Sequence, residues 1–442
     1  MIFTIYVLAL FLIGPLEYFV PEVGQIHWVV TILSAILLLR VFYSIATRTS
    51  QQGLGSVPGY MVFMGLFLVV AVLSSAGNMY WTEALLDAKN YFQFWSIPFA
   101  LWFLISGESL SLRMMKGLLV LAFINTFLCM VQYSLRSSFP GDLVTGTFGG
   151  VIGGTGGPNA ALSAFQIVQA GTIIQLALRR QLSWPRAIVL IVWFLIPVGL
   201  THAKATLVFL LIMTGFTLGR EALRRPVVSA LVVILMIGLF SGLFYFEYRD
   251  ANKYEEGADS VGDFITNTIE HNIESKRGDL TRLTAVTFWL KENPPEKSFP
   301  VFLLGHGIGA SKFTGVFQGH VSLSPRYRDL NVGIYTLTRL LWDVGIVGTV
   351  MFIFIFVSAF RLASKLKDDP GFSPMEASFL ASSQVACFFF ILDIPYQDSH
   401  LAVQAYAAFV MITLGCIAVC KKKLILLVVK PQTIRCPRSL VG

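Results

Sequence analysis

The residues of this chain that could do chemistry are chiefly cations, and many of them gather in one polar stretch running from about Glu247 to Asn331. Within it, Lys276-Arg277-Gly-Asp-Leu-Thr-Arg282 leads into Leu283-Thr-Ala-Val-Thr-Phe-Trp289-Leu-Lys-Glu, and further on stand His320 and Pro325-Arg326-Tyr327-Arg328-Asp329. The planar fork of an arginine grips phosphate oxygens in pairs, and an aromatic ring between two arginines suits either a sugar face or packing. Leu283, Val286, Trp289 and Leu290 recur at helical spacing and predict a short amphipathic helix. Arg282 falls near its start, where a cation gains nothing from the helix dipole; it reads as a ligand contact or as solvated charge. His320, alone in a loop, reads as a solvated or packed residue or as a catalyst.

Two short connections add to this set. Arg136-Ser-Ser-Phe-Pro-Gly-Asp142 is followed by a glycine-rich run from Gly146 to Gly157 and then Pro158-Asn159. Successive exposed N–H groups in such a run make an anion-binding nest, whereas the plainer reading is a flexible surface loop. Pro158-Asn159 would open a helix and aim its first donors at the surface. In the turn Thr201-His-Ala-Lys204, the lysine either snorkels to the interface or meets a lipid pyrophosphate there. Gly305-His-Gly-Ile-Gly309 lacks the strand-turn-helix setting of a dinucleotide site, which excludes that reading. Of the five cysteines, Cys416 and Cys420 lie one helical turn apart with no His or third Cys beside them, so they read as core and no metal site is expected. No cysteine falls in an outer loop, which leaves no disulfide framework.

The elements that must position these groups are apolar helices. The chain is 55% hydrophobic and only 13% charged, a composition that excludes a soluble globular domain. With about 20 residues needed per crossing, spans fall near 2–20, 27–46, 58–77, 90–106, 117–135, 160–178, 187–203, 205–219, 227–246, 341–360, 377–392 and 401–420. The fold class is therefore an all-α polytopic integral membrane protein of about twelve transmembrane helices. Residues 1–246 carry the first nine, 247–340 form a long periplasmic loop domain with short amphipathic helices, 341–420 carry the last three, and 421–442 are a basic tail. One set of loops holds Arg40 and Arg48, Arg113 and Lys116, Arg179, Arg180 and Arg186, Arg220, Arg224 and Arg225, Arg361, Lys365 and Lys367, then Lys421-Lys-Lys423. The alternate short loops hold only Lys89, Arg136 and Lys204. By the positive-inside rule both termini are cytoplasmic and the long loop is outside.

The first span has neither a basic leader nor a small-residue cleavage site and reads as a retained helix. The net charge of +8 lies mostly on the cytoplasmic side, where anionic membrane lipids account for it, and does not imply nucleic acid. Glu17, Asp393, Asp398 and His400 fall near span ends on the outer side, and no relay of carboxylates is evident deep inside the spans, which weakens a transport role. Tyr335 to Gly348 reads as a helix along the interface ahead of the next span, with Tyr335 and Trp342 as interface anchors.

In order along the chain, these motifs resemble the O-antigen ligase and O-antigen polymerase superfamily of bacterial envelope glycan enzymes. Gly146-Thr-Phe-Gly and Gly157-Pro-Asn159 precede the sixth span, and Leu200-Thr-His-Ala-Lys204-Ala is similar to a family turn that carries Arg where Lys204 stands. Arg282, Trp289, Glu292-Asn-Pro294 and Gly305-His-Gly-Ile-Gly309 follow the family's succession, as does Leu340-Leu-Trp-Asp343-Val-Gly345-Ile-Val-Gly348. Ligases of the family carry a His-Asn pair about three turns before the position of Gly345, where this chain has Ile334 and Tyr335. That departure moves the resemblance toward the polymerases.

The resemblance implies transfer of a glycan from an undecaprenyl-pyrophosphate carrier to an acceptor sugar, with no cofactor and no metal. Fixed cations would stabilise the charge developing on the pyrophosphate. Arg282 and Lys204 are then the main clamps, with Arg277, Arg326 and Arg328 behind them and Arg136 and Asn159 as further substrate contacts. The acceptor hydroxyl would attack in line, which predicts inversion, and Asp329 or His320 would take its proton. The implied location is the bacterial inner (cytoplasmic) membrane, with a flippase and a chain-length regulator as expected partners. Within the class the alternative is a ligase that moves a finished glycan to a lipid A core or a protein. From another class, a flippase or exporter would require polar residues lining a path through the bilayer.

Overall fold

The computed structural model describes residues 1–20, 26–47, 57–77, 81–104, 108–135, 144–149, 157–201, 205–224, 280–311 and 332–433, with isolated positions at Ala230, Ile234, Gly238, Gly242 and Tyr245. Among them the regular structure is entirely helical. Seven helices are long and apolar enough to cross a membrane: Ile2–Phe19, Trp28–Ala46, Gly59–Ala76, Leu110–Leu135, Gly157–Leu178, Thr336–Leu366 and Pro374–Asp393. Trp184–Leu200 and Val208–Thr217 are shorter apolar helices. This is an architecture compatible with a multi-pass membrane protein, with seven such helices among the described residues against the dozen expected. Most of the stretch 227–246, and 251–279 and 312–331 of the long loop, lie outside the described residues.

In chain order we label Ile2–Phe19 α1, which holds a π-turn at Leu8–Leu12, His27–Ala46 α2, Gly59–Ala76 α3, Trp81–Phe92 α4, Ser96–Phe103 α5, Glu108–Leu135 α6 and Gly157–Leu178 α7. Trp184–Leu200 is α8, Ala205–Arg224 α9, Arg282–Glu292 α10, Phe299–Leu304 α11, Thr336–Leu366 α12, Pro374–Asp393 α13, Ser399–Ala402 α14 and Gln404–Thr433 α15. Helix α7 is the core of the bundle, buried along almost its whole length and packed on α8, α9 and α13. Its polar residues Asn159, Ser163, Gln166, Gln169 and Thr172 follow helical spacing and are all buried. Gln166 Nε2 donates to Ala122 O and Ser163 Oγ lies 2.7 Å from Thr201 Oγ1, the interhelical bonding that polar side chains supply between apolar helices.

The span expected at 90–106 is instead the pair α4 and α5. Trp95 N donates to Phe92 O and Ile97 N to Phe94 O, tight i−3 turns that interrupt the regular ladder. The hydroxyl of Ser34 on α2 donates to Gln93 O and contacts Ser96 Oγ, so a neighbouring helix satisfies a carbonyl at the break. Helix α12 is also divided: Gly345, at φ 65° and ψ −167°, separates a short first part from a long second one. The expected helix ahead of the span is there, but Trp342 is buried against Trp289, Val332 and Leu341 rather than anchored at an interface.

The two ends of the bundle differ in charge. At one, Lys421 Nζ donates to Val57 O at 3.3 Å, Lys422 Nζ to Trp102 O at 2.8 Å, Lys423 pairs with Glu376 at 3.1 Å, and Arg179 Nη2 donates to Lys367 O. At the other lie Asp87, Asp398 and the N-terminal part of α12. Helix α3 spans between them, with Gly59 against Ser358 at the lysine end and Ser74 Oγ donating to Asp343 O at the acidic end.

Candidate functional site

At the acidic end, four side chains from two helices pair in register. Arg339 Nη2 donates to both carboxylate oxygens of Asp87 at 2.6 Å, and Tyr91 Oη donates to Asp343 Oδ2 at 2.8 Å. Each pair is separated by 252 residues, and both members advance by one i,i+4 step, so α4 and the start of α12 run side by side in the same direction. Arg339 Nη1 reaches Asp398 Oδ2 at 2.9 Å, and Thr336 Oγ1 donates to Asp398 Oδ1 at 3.3 Å. The Tyr91 ring lies 5.5 Å from the guanidinium. Arg339 is 1% exposed and Asp87 2%, so desolvation is tolerable only because each charge has its counterpart. Charged groups inside apolar helices are costly and tend to mark function.

Asp343 is held by backbone as well. Ser311 N donates to Oδ1 at 2.9 Å and Gly309 N to Oδ2 at 3.2 Å, while Gly307 N bonds Asp343 O and His306 N bonds Trp342 O. The Gly305–Gly309 run and Ser311 thus aim backbone donors at α12, two at the Asp343 carboxylate and two at the carbonyls of Trp342 and Asp343. Gly305 (φ 76°) and Gly345 (φ 65°) face each other so closely that a Cβ on either would overlap the backbone of the other. A side chain is disfavoured there both by space and by conformation. His306 stacks on Trp342, and its Nε2–H donates to Asn293 Oδ1 at 2.8 Å, the amide being oriented by Asn293 Nδ2 donating to Trp289 O. Burial, aided by Lys297, pushes the His306 imidazole down to about 4, so it is neutral at ordinary pH.

Arg282 is the first residue of α10, placed by the capping box of Thr281 and Thr284. Ala285 and Trp289 form the buried face of this helix and Val286 packs beside them; Leu290, expected on that face, is 45% exposed. Arg282 Nε donates to Tyr396 O at 2.9 Å, and its guanidinium lies 4.0 Å over the Tyr396 ring and 5.6 Å from that of Tyr335. It is therefore a half-buried cation, fixed by a carbonyl and two aromatic faces. Tyr396 belongs to the segment 393–403 that ties the site together. Ile394 O and Gln397 O accept from Leu337 N and Thr336 N, Asp398 receives Arg339, and Ser399 Oγ donates to Gly157 O. Gln397 Nε2 donates to Asp393 Oδ1 at 2.5 Å, and Asp393 Oδ2 lies 3.7 Å from His400 Nε2.

Of the residues singled out from sequence, the structure describes Arg282 and Asn159. Arg282 lies at the acidic end. Asn159 lies on the first turn of α7, but that turn is covered: Asn159 is buried, its Nδ2 3.5 Å from Thr201 O, and Gly157 is seated on Ser399. The helix start therefore faces its neighbours rather than a free surface, and it joins the Gly157-Pro-Asn motif to the Thr201 turn. Lys204, Arg277, His320, Arg326, Arg328, Asp329 and Arg136 lie outside the described residues. Asp87, Tyr91, Arg339 and the role of Asp398 were missed by sequence reasoning. The available signal was the i,i+4 spacing of Asp87 with Tyr91 and of Arg339 with Asp343, the latter pair in an otherwise apolar stretch. Among the described residues no cluster of three or more His, Cys, Asp or Glu side chains is arranged to hold a metal.

Arg339 and Arg282 are suited to different tasks. Arg339 is committed to two carboxylates and can only position the helices that carry them. Arg282 is partly exposed on a rigid aromatic support formed by Tyr396 and Tyr335. Comparison with protein-family models and with curated proteins finds no match to this chain.

Proposed function

We propose that the protein is a polysaccharide polymerase, a metal-independent inverting glycosyltransferase joining undecaprenyl-pyrophosphate-linked oligosaccharide repeats at the periplasmic face of a bacterial inner membrane. The observation that carries this reading is Arg282: a cation fixed over Tyr396 and beside Tyr335, at the opposite end of the bundle from Lys421–Lys423. By the positive-inside rule the lysine end is cytoplasmic, which puts Arg282 outside. The ordered family-like motifs, several of which meet around Asp343, support the same reading. In the reaction the acceptor hydroxyl oxygen attacks the anomeric carbon. The bond to the pyrophosphate oxygen breaks with its electron pair, and a base, Asp329 or His320, takes the hydroxyl proton. Arg282, with Lys204, meets the charge that grows on the leaving pyrophosphate. Arg277, Arg326 and Arg328 lie along the same loop as further contacts.

A second reading, a flippase of the same lipid-linked oligosaccharides, is favoured by one observation: Asp87, Arg339 and Asp343 form a buried charged group at one end of the bundle, with Asp398 at its edge. The test is polymer synthesis in a strain lacking the protein, complemented with wild type, Arg282→Ala or Lys204→Ala at equal membrane levels. Loss of one fixed donor to a developing anion costs about 10²- to 10³-fold in rate. The expected result is single lipid-linked repeats accumulating on the outer leaflet. Full-length lipid-linked polymer would make the protein a ligase, and repeats held on the inner leaflet would make it a flippase.

A further inference from the structure

Helices α2 and α3 are consecutive in sequence, yet they take different partners, α2 packing on α5 and α3 on α12. Between them, floored by α4 and α5, is a cavity of about 410 Å³. It lies in the half of the bundle nearer the lysines, bounded by Val41 and Ile45 of α2, Val57 and Met61 before and on α3, and Phe99 and Phe103 of α5. Every lining residue is apolar. Its deep wall, including Met61, Met64, Trp95 and Phe103, is buried, whereas Phe42 and Val62 at its rim are each 52% exposed. The cavity therefore opens sideways from the bundle, between two apolar helices, where a bilayer would supply hydrocarbon.

A cavity so lined offers water no partners. At roughly 30 Å³ for each water-sized group, it holds about fourteen methylenes, the scale of one acyl chain. A charged group marks its end: Lys421 Nζ sits 3.3 Å from the carbonyl of Val57, a lining residue, and 5.8 Å from the ring of Trp102, which precedes the lining residue Phe103. An apolar slot ending at an ammonium matches an amphiphile with one buried chain and an anionic head. We propose that this cleft is a phospholipid site, with an acyl chain between α2 and α3 and an anionic headgroup at Lys421. The site is separate from Arg282 and does not depend on the polymerase reading.

Gly65 gives the means to test it. It lines the cavity, and a Cβ built there meets nothing within 4 Å, so a large side chain at this position occupies the cleft instead of the lipid. The full-length protein is purified in mild detergent and exposed to phosphatidylglycerol or phosphatidylcholine, with retained lipid counted by native mass spectrometry. A phosphatidylglycerol bearing a diazirine on its chain is then cross-linked and mapped by peptide sequencing. Wild type should retain phosphatidylglycerol in preference and cross-link at Met61, Met64 or Phe99. Gly65→Phe should lower retention tenfold or more, and Lys421→Gln about fivefold, the worth of one lysine near an anionic surface, while erasing headgroup preference. Undiminished retention in folded Gly65→Phe, equal retention of the two lipids by wild type, or cross-links confined to other helices would overturn the proposal. If Gly65→Phe does not fold, the cross-link map on wild type and the smaller Gly65→Leu decide the same question.

Discussion

The two ends of the bundle use charge in opposite ways. At the acidic end, Arg339 is enclosed between Asp87 and Asp398, and Asp343 takes its donors from Tyr91, Gly309 and Ser311, so that side chains of α4, α12 and the 393–403 segment are locked through buried polar contacts. At the lysine end, Lys421 and Lys422 donate to backbone carbonyls, and Lys423 meets a glutamate that already caps its own helix. The first arrangement is mutually dependent: no member can leave without stranding another in low dielectric. In the second, two lysines meet single backbone carbonyls, and Lys423 meets a glutamate that keeps its capping donors without it. A site that must hold a substrate in one geometry needs the first kind of support, and a face lying against lipid headgroups can use the second.

The contrast is broken most directly at Arg339. Arg339→Met keeps the apolar stem but takes away the guanidinium that Asp87 and Asp398 share, and removing one partner of a buried pair costs about 3–5 kcal/mol. The expected outcome is a large fall in the thermal midpoint of the detergent-solubilised protein, followed by size-exclusion chromatography. Arg339→Lys, with a point charge that cannot fork to Asp87 while reaching Asp398, should fall between Met and wild type. A midpoint for Arg339→Met close to that of wild type would show the acidic end to be as loosely held as the lysine end.

A smaller effect is expected where backbone rather than charge closes the acidic end. Gly345→Ala places a Cβ against Leu303 O and Gly305 N at a φ of 65° and ψ of −167°, a region essentially reserved for glycine. The strain is of order 1–3 kcal/mol, and relieving it would pull His306 and Gly307 from their bonds to Trp342 and Asp343. The midpoint should drop by less than in Arg339→Met. The protected amide of Gly307 should also exchange faster in hydrogen-exchange mass spectrometry. Unchanged protection would mean that these bonds are held without the glycine pair.

What could be read from the sequence follows the range of the interactions. Apolar runs located most of the long helices, because a crossing is a local property of about 20 residues. The helical spacing of Leu283, Val286 and Trp289 is likewise local, and it put Arg282 near the start of α10. The break between α4 and α5 went unread: residues 90–106 are mostly apolar, Gln93, Ser96 and Pro98 are its local marks, and the group that satisfies Gln93 O comes from Ser34 on another helix. Trp342 was misassigned because a tryptophan near a span end prefers an interface, whereas here Trp289 and His306 cover it. Asp87 and Arg339 are brought together across 252 residues, and periodicity carries no distance of that kind. The Gly305–Gly309 run showed a turn without showing that its anion would be Asp343.

The smallest effect should come from the lysine end. Lys423 Nζ lies 3.1 and 3.2 Å from the two carboxylate oxygens of Glu376, a geometry that resembles a structural ion pair. Yet Glu376 Oε2 also accepts from Ser373 N at 2.8 Å and Ser373 Oγ at 2.7 Å, the bonds of its own capping box. Lys423→Ala therefore leaves Glu376 with its capping donors, and the cost should fall below the figure of about 3–5 kcal/mol for removing one partner from a wholly buried pair. The thermal midpoint should therefore move less than in Arg339→Met. Ser373→Ala/Lys423→Ala removes the hydroxyl and the ammonium, leaves the residue-373 N–H as the one of these three donors on Glu376, and should cost more than the two single changes added together. Simple additivity would mean that Glu376 is hydrated at the membrane face, and a loss from Lys423→Ala as large as that from Arg339→Met would erase the distinction between the two ends.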